Sequence, residues 1–129
     1  MFKNKLKSNA KKIDLFLKNY LKSQKRSLLI NPMNYGVLSG GKKIRSSIIF
    51  AAGKLYNLKS NNLLNICGAV ECIHSYSLIH DDLPCMDNDK LRRGKAAAHI
   101  KYGESTAVLA GNSLLTLAFE MISDKRFKI

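Results

Sequence analysis

Apolar side chains in this chain recur at intervals of three and four, and no segment alternates apolar with polar as a half-buried strand would. Ile13, Phe16, Leu17, Tyr20 and Leu21 form one such stripe among lysines, which predicts an amphipathic helix over about Asn4 to Gln24. A turn-rich stretch follows, from Asn31-Pro32 through Tyr35-Gly36 to Ser39-Gly40-Gly41. A second helix is predicted from near Lys42 to about Tyr56. A third runs over Leu63 to about Asp82, with Ser60-Asn61-Asn62 offering N-cap side chains. Pro84 must stop or distort that helix near Leu83, because it lacks an amide hydrogen and disfavours helical geometry just before it. A charged loop over Asp87 to Gly103 precedes a last helix from about Glu104 to Ser123. Beyond its first residue only Glu120 is charged there, so this helix is predicted to be buried nearly all round, with Leu114, Leu115, Leu117 and Phe119 in the core beside Tyr76, Leu78 and Ile79. The expected fold class is all-α, one unit over residues 1–129.

Charge narrows the function. The formal net charge of +13 would suit a nucleic-acid binder, but the lysines are scattered among many asparagines rather than gathered into a patch. The acids are distributed more informatively. None occurs from Leu15 to Val70, and then Glu71, Asp81, Asp82, Asp87, Asp89 and Glu104 follow in succession. A basic chain with one acidic island suits an anionic ligand bridged to carboxylates by a metal ion, and no nucleic-acid partner is expected. The most apolar segment, Thr106 to Phe119, is short and interrupted by Asn112, so no membrane span is expected. The charged start Met1-Phe2-Lys3-Asn4-Lys5 lacks a following apolar run and does not read as a secretory signal. Cys67, Cys72 and Cys85 lack metal-motif spacing and read as reduced thiols of a cytoplasmic protein.

Asp81 and Asp82 close the third predicted helix, and Asp87 lies beyond the proline, where the break lets it fold back towards Asp81. The negative end of the helix dipole adds to the attraction for a cation. Hard carboxylate oxygens suit Mg²⁺, which shares its coordination with water and substrate phosphates. By itself the spacing fits a solvated acidic turn equally well. Two basic elements weigh against that reading. Gly40-Gly41-Lys42-Lys43-Ile44-Arg45 sets a glycine loop before a helix N-terminus, an arrangement that binds anions, with Lys42 and Arg45 three apart on one expected face. Arg92-Arg93-Gly94 follows the aspartates, and arginine's rigid fork suits diphosphate oxygens. His74, seven residues before Asp81, shares its helix face. His80 and His99 have weaker cases, and zinc held by His74 and His80 is not expected, because a six-residue separation places them on different helix faces.

As an ensemble these residues resemble the polyprenyl synthetases. The segment His74-Ser75-Tyr76-Ser77-Leu78-Ile79-His80-Asp81-Asp82-Leu83-Pro84-Cys85-Met86-Asp87, then Leu91-Arg92-Arg93-Gly94-Lys95, resembles that family's first aspartate-rich motif. Its four-residue gap is similar to the bacterial farnesyl and plant geranylgeranyl types. Gly40 to Arg45 resembles the family's GGKxxR element, and Tyr102-Gly103-Glu104 with Ala107 to Asn112 resembles the stretch after RRG. Ser46 stands where a proline usually follows GGKxxR, and Ala96-Ala97-Ala98 replaces the usual residues after RRG-K. The resemblance implies a bundle of long helices around an apolar cavity, and condensation of isopentenyl diphosphate with dimethylallyl or geranyl diphosphate. It implies Asp81 and Asp87 as Mg²⁺ ligands with Asp82 supporting, Arg92 on the allylic diphosphate, and Lys42, Arg45, His74 and Arg93 on isopentenyl diphosphate. Tyr76, five residues before Asp81, resembles the bulky position associated with stopping at the farnesyl stage. Family members are considerably longer and carry a second aspartate motif that the 129 residues lack. The chain is therefore read as the N-terminal portion of a synthase that is not expected to turn over alone, with a homodimer or a complementing polypeptide as the partners to look for. The alternative is a catalytically inactive fragment, or a helical subunit that pairs with another synthase polypeptide.

Overall fold

A computed structural model describes residues 1–127. The elements are α1 (Phe2–Lys22), α2 (Ile30–Val37), α3 (Ile44–Leu55), α4 (Ser60–Asp81), β1 (Leu91–Arg92), β2 (Lys95–Ala96), α5 (Ala98–Tyr102) and α6 (Glu104–Ser123). The bundle is helical, as expected, with a single two-residue antiparallel ribbon among the described residues.

α4 is the hub, in contact with α1, α2, α3 and α6. α1 forms where the apolar stripe predicts it and buries Ile13, Leu17 and Leu21 completely, leaving its lysines outside. Each such aliphatic side chain contributes on the order of 1.5–3 kcal/mol by leaving water. These residues join Val37 of α2, Cys67, Cys72 and Ile79 of α4, and Ala107, Ala110, Leu114, Leu117 and Met121 of α6 in one core. The α4–α6 approach relies on small side chains: a Cβ at Gly111 would collide with the His80 ring. His80 is thus a packing residue, its Nε2 3.0 Å from the Val108 carbonyl oxygen and its ring edge-on to Tyr76. Burial pushes the Cys67 thiol up to about 11 and that of Cys72 to about 12, so both are inert core thiols; Cys85 is free and exposed.

Several expectations need correction. The turn-rich stretch contains α2, because Pro32 lies in its first turn, where a helix has no use for the missing amide hydrogen. α4 begins at Ser60, earlier than expected, with Lys59 as N-cap and no side-chain cap. The charged loop is organised into the ribbon and α5. α6 is not buried all round: Val108, Leu109 and Ile122 are exposed, and Phe119 is 58% exposed rather than core. At 20 residues α6 is also long and apolar enough, by length and composition, to cross a membrane, contrary to the shorter segment read from sequence. Its inner face packs on α4 and α5.

Candidate functional site

The loop between α2 and α3 and the turn between β1 and β2 meet over α4. Gly40, Gly41 and Lys43 all have positive φ, so the loop is tightly folded and reverses direction just before α3. In the ribbon, Leu91 pairs with Ala96 and Arg92 with Lys95, leaving Arg93-Gly94 as a two-residue turn. Both turn residues have positive φ, as the hairpin class that matches strand twist requires. The turn aims Arg93 at the loop, where its Nη1 donates to the Gly40 carbonyl at 2.7 Å and to Ser39 Oγ at 3.2 Å. Tyr35 steadies the ribbon from α2, its hydroxyl donating to the Ala96 carbonyl at 2.6 Å.

Gly41 is constrained twice, by a φ of +99° and by the Arg93 guanidinium, which would lie 2.9 Å from an added Cβ. Gly41→Ala is expected to push Arg93 aside and to weaken anion binding about tenfold, the scale of one lost charge-assisted hydrogen bond. Calorimetric titration with inorganic pyrophosphate reads that loss directly.

Lys42, Arg45, His74 and Arg93 line one cleft of about 300 Å³, together with Lys43, Glu71 and Ser75. The helical argument that placed Lys42 and Arg45 on one face does not hold, because Lys43 is the α3 N-cap and Lys42 lies outside the helix. Both reach the cleft nevertheless. Arg45 Nη1 sits 3.4 Å from His74 Nε2. Burial holds the His74 imidazole below its ordinary value, and Arg45, Arg93 and Lys43 push it the same way against Glu71. His74 therefore faces its cationic neighbours mainly as the neutral ring, and an anion entering the cleft would reverse that bias.

The aspartates divide into two environments. Asp82, the α4 C-cap, is 2% exposed and turned inward, where both its oxygens accept from Arg92 Nε and Nη2 at 2.7 Å. Its carboxylate is committed to that fork, so it anchors Arg92. Asp82 and Arg92 line a smaller adjoining cavity of about 110 Å³ that shares Ser39, Ser75 and Leu78 with the larger cleft. Asp81 and Asp87 line neither. The Asp87 amide donates to the Asp81 carbonyl at 2.8 Å, and the Asp89 amide to that of Asp82 at 3.1 Å, so the chain beyond Pro84 does fold back onto the helix end. Asp81 is half-buried and Asp87 exposed. Among the described residues no three His, Cys, Asp or Glu side chains converge as a protein-only metal cluster. Two hard carboxylates at a helix C-terminus fit Mg²⁺, which takes one or two protein carboxylates and completes its shell with water and phosphate oxygens. His99 stands apart, buried in α5 with neither ring nitrogen bonded.

Lys43, Glu71 and Ser46 did not stand out as site residues in the sequence. Lys43 Nζ donates to the Val37 carbonyl at 2.8 Å and lies 3.6 Å from both Glu71 Oε2 and Asp14 Oδ1, while Ser46 Oγ donates to Glu71 Oε1 at 2.6 Å. The one sequence signal was that Glu71 ends the long acid-free stretch.

A helical bundle that gathers Lys42, Arg45, His74 and Arg93 in one cleft, close to the carboxylates at the end of α4, has the makings of an anion site. Residues 26–128 match the polyprenyl synthetase family, and the chain belongs to it. It is 55% identical to the farnesyl diphosphate synthase of Buchnera aphidicola subsp. Acyrthosiphon pisum, over 82% of this chain and 37% of the relative. With the farnesyl diphosphate synthase of Escherichia coli it shares 51% identity, over 74% of this chain and 32% of the relative. The chain thus spans about a third of the length of these curated relatives. Its fold is similar to part of a crystallised FPP/GFPP synthase from Zymomonas mobilis, with TM-score 0.89 and 39% identity over 95% of this chain and 45% of that one.

Proposed function

We propose that this chain is the part of a short-chain prenyl diphosphate synthase that grips the diphosphate groups of isopentenyl diphosphate and of an allylic partner, dimethylallyl or geranyl diphosphate. The observation that carries this reading is the convergence of Lys42, Arg45, His74 and Arg93 on one cleft, beside the Asp82–Arg92 pair. In this reading the cleft holds isopentenyl diphosphate. Arg92, steered by Asp82, presents its remaining nitrogen, Nη1, to the allylic diphosphate, with Asp81 and Asp87 holding Mg²⁺ nearby. Mg²⁺, when bound, supplies positive charge to the departing diphosphate. Arg92 adds to that charge, favouring ionisation of the allylic substrate. The isopentenyl double bond then attacks the allylic cation, and loss of a proton from the adduct completes the extension. Half-buried Tyr76 stands at the bulky position that the family resemblance associates with a farnesyl product, and the choice between farnesyl and geranylgeranyl rests on that resemblance. The cytoplasm, where both diphosphates are water-soluble, is the proposed location.

The chain exposes 8416 Å² of surface, against about 6,800 Å² for a compact monomer of this mass. Ile44, Ile48 and Leu55 of α3, Ile73 of α4, and Val108, Leu109, Phe119 and Ile122 of α6 contribute to the exposed apolar part. Such faces suit coverage by further synthase helices, whether carried on the same polypeptide or another, or by a second copy. This surface also favours the second reading, a helical subunit that pairs with another synthase polypeptide.

Two measurements test the proposal. On titration with pyrophosphate, the NMR titration midpoint of His74 is expected to rise from a value below the ordinary 6.5 or so, because the bound anion favours the imidazolium. An unmoved midpoint removes His74 from the site. Incubation with Mg²⁺, isopentenyl diphosphate and geranyl diphosphate, with and without a polypeptide corresponding to the rest of a synthase, tests turnover. Product in the complemented mixture supports prenyl transfer; product in neither defeats it.

A further inference from the structure

We propose that Lys43 and Glu71 are the positioning pair of the anion cleft: the Lys43 side chain clasps the two ends of the Gly40-Gly41 loop together, and Glu71 holds that clasp in register with His74. The inference rests on the diphosphate reading of the cleft and adds to it a pair whose role is to hold the loop and helix that carry the other cleft residues. Lys43 looks like one more basic residue of the loop, yet its side chain is only 5% exposed and points inward. Its Nζ donates to the carbonyl of Val37, the last residue of α2, while its own backbone is the N-cap of α3. One side chain therefore bridges the start and the finish of the connection that carries Gly40, Gly41 and Lys42.

The backbone gives a reason for the clasp. Lys43 has φ 48° and ψ 46°, a left-handed conformation that a side-chain-bearing residue adopts only when its surroundings hold it there. The surroundings here are an ion network drawn from four helices, buried at Lys43 and Glu71 and partly open to solvent at Asp14. Asp14 of α1 and Glu71 of α4 flank the ammonium, the Val37 carbonyl of α2 accepts from it, and Ser46 of α3 completes Glu71. Glu71 is itself 3% exposed, so its charge has no solvent to fall back on. His74 lies one turn further along α4, and Arg45 one residue before Ser46 on α3. The Glu71–Ser46 bond thereby sets the spacing at which Arg45 and His74 stand 3.4 Å apart. Arg93 secures the same loop from outside through the Gly40 carbonyl.

Lys43→Gly separates the two features of this residue, because glycine accepts the left-handed backbone but carries no clasp. Wild type, Lys43→Gly and Glu71→Gln are compared by circular dichroism, by amide NMR of residues 40–45, and by calorimetric titration with inorganic pyrophosphate. The folded Lys43→Gly protein is expected to show displaced and broadened amides at Gly40, Gly41 and Lys42. Its pyrophosphate affinity is expected to fall tenfold or more, on the order of the loss when a supporting partner is removed. Glu71→Gln, which can keep the Ser46 bond while losing the charge, is expected to move the same amides less, and Lys43→Arg to restore them in part. Variants that melt earlier but keep wild-type loop amides and affinity would show a purely stabilising network and overturn the proposal. If wild type binds no pyrophosphate, the diphosphate reading fails, and the loop amides alone decide: displaced in the variants, they support the clasp; unmoved, they remove it. If Lys43→Gly does not fold, Glu71→Gln decides on the same two readouts.

Discussion

Arg92→Leu is expected to cost about 3–5 kcal/mol of folding stability, read as a lowered urea midpoint at unchanged slope. Asp82 is 2% exposed, and Arg92 bonds both of its oxygens. Without the guanidinium a buried carboxylate is left with no counter-charge. The reverse change is milder. In Asp82→Asn the charge left behind sits on Arg92, whose side chain is 29% exposed and can turn to solvent, so a loss of about 1–2 kcal/mol is expected. The double variant is expected to recover much of the Arg92→Leu loss, because the neutral amide no longer demands a partner. Additive losses would mean that the fork is incidental to folding. A loss of a few kcal/mol is a large part of what a domain of this size possesses.

Asp81→Asn and Asp87→Asn are expected to act in the opposite manner, with little effect on the urea midpoint and a large effect on Mg²⁺-dependent binding. Asp81 is half-buried and Asp87 exposed, and neither carries a side-chain bond that the fold relies on. Loss of one carboxylate is expected to weaken Mg²⁺-dependent pyrophosphate binding by about 10–100-fold, and to lower prenyl transfer in a complemented mixture by about 10²–10³-fold. Binding without Mg²⁺ is expected to change little, since the cleft cations supply it. The contrast between adjacent residues is the informative part. If Asp82→Asn abolished the Mg²⁺ effect and Asp81→Asn did not, the assignment of the outward and inward carboxylates would be reversed.

Much of this was legible in the sequence where a local rule was sufficient. The α1 stripe at Ile13, Leu17 and Leu21 is buried because helical spacing puts those residues on one face. Pro84 ends α4 near its predicted place, and Asp87 folds back to Asp81 because a proline break permits it. α2 was hidden, since Asn31-Pro32 and Tyr35-Gly36 carry turn chemistry that a helix start and a close packing contact also tolerate. A Cβ at Gly36 would press on the end of the Ile79 side chain, a feature of tertiary packing that has no local signature. The outer face of α6 was misjudged for a related reason. Apolar composition records what a helix is suited to bury, and Phe119 and Leu109 remain uncovered within residues 1–127.

The candidate site divides along the same line. Residue types and spacing by themselves determined the helical class, the acidic island, and the two basic elements that belong with it, because glycine, proline, arginine and aspartate act through local backbone and charge. Only the tertiary structure decided which charges are committed to partners inside the protein. Asp82 and Lys43 are of the same residue types as their neighbours Asp81 and Lys42, yet each is turned inward and paired, because the packing of α4 against its neighbours removes them from water and an unpaired charge there would be too costly.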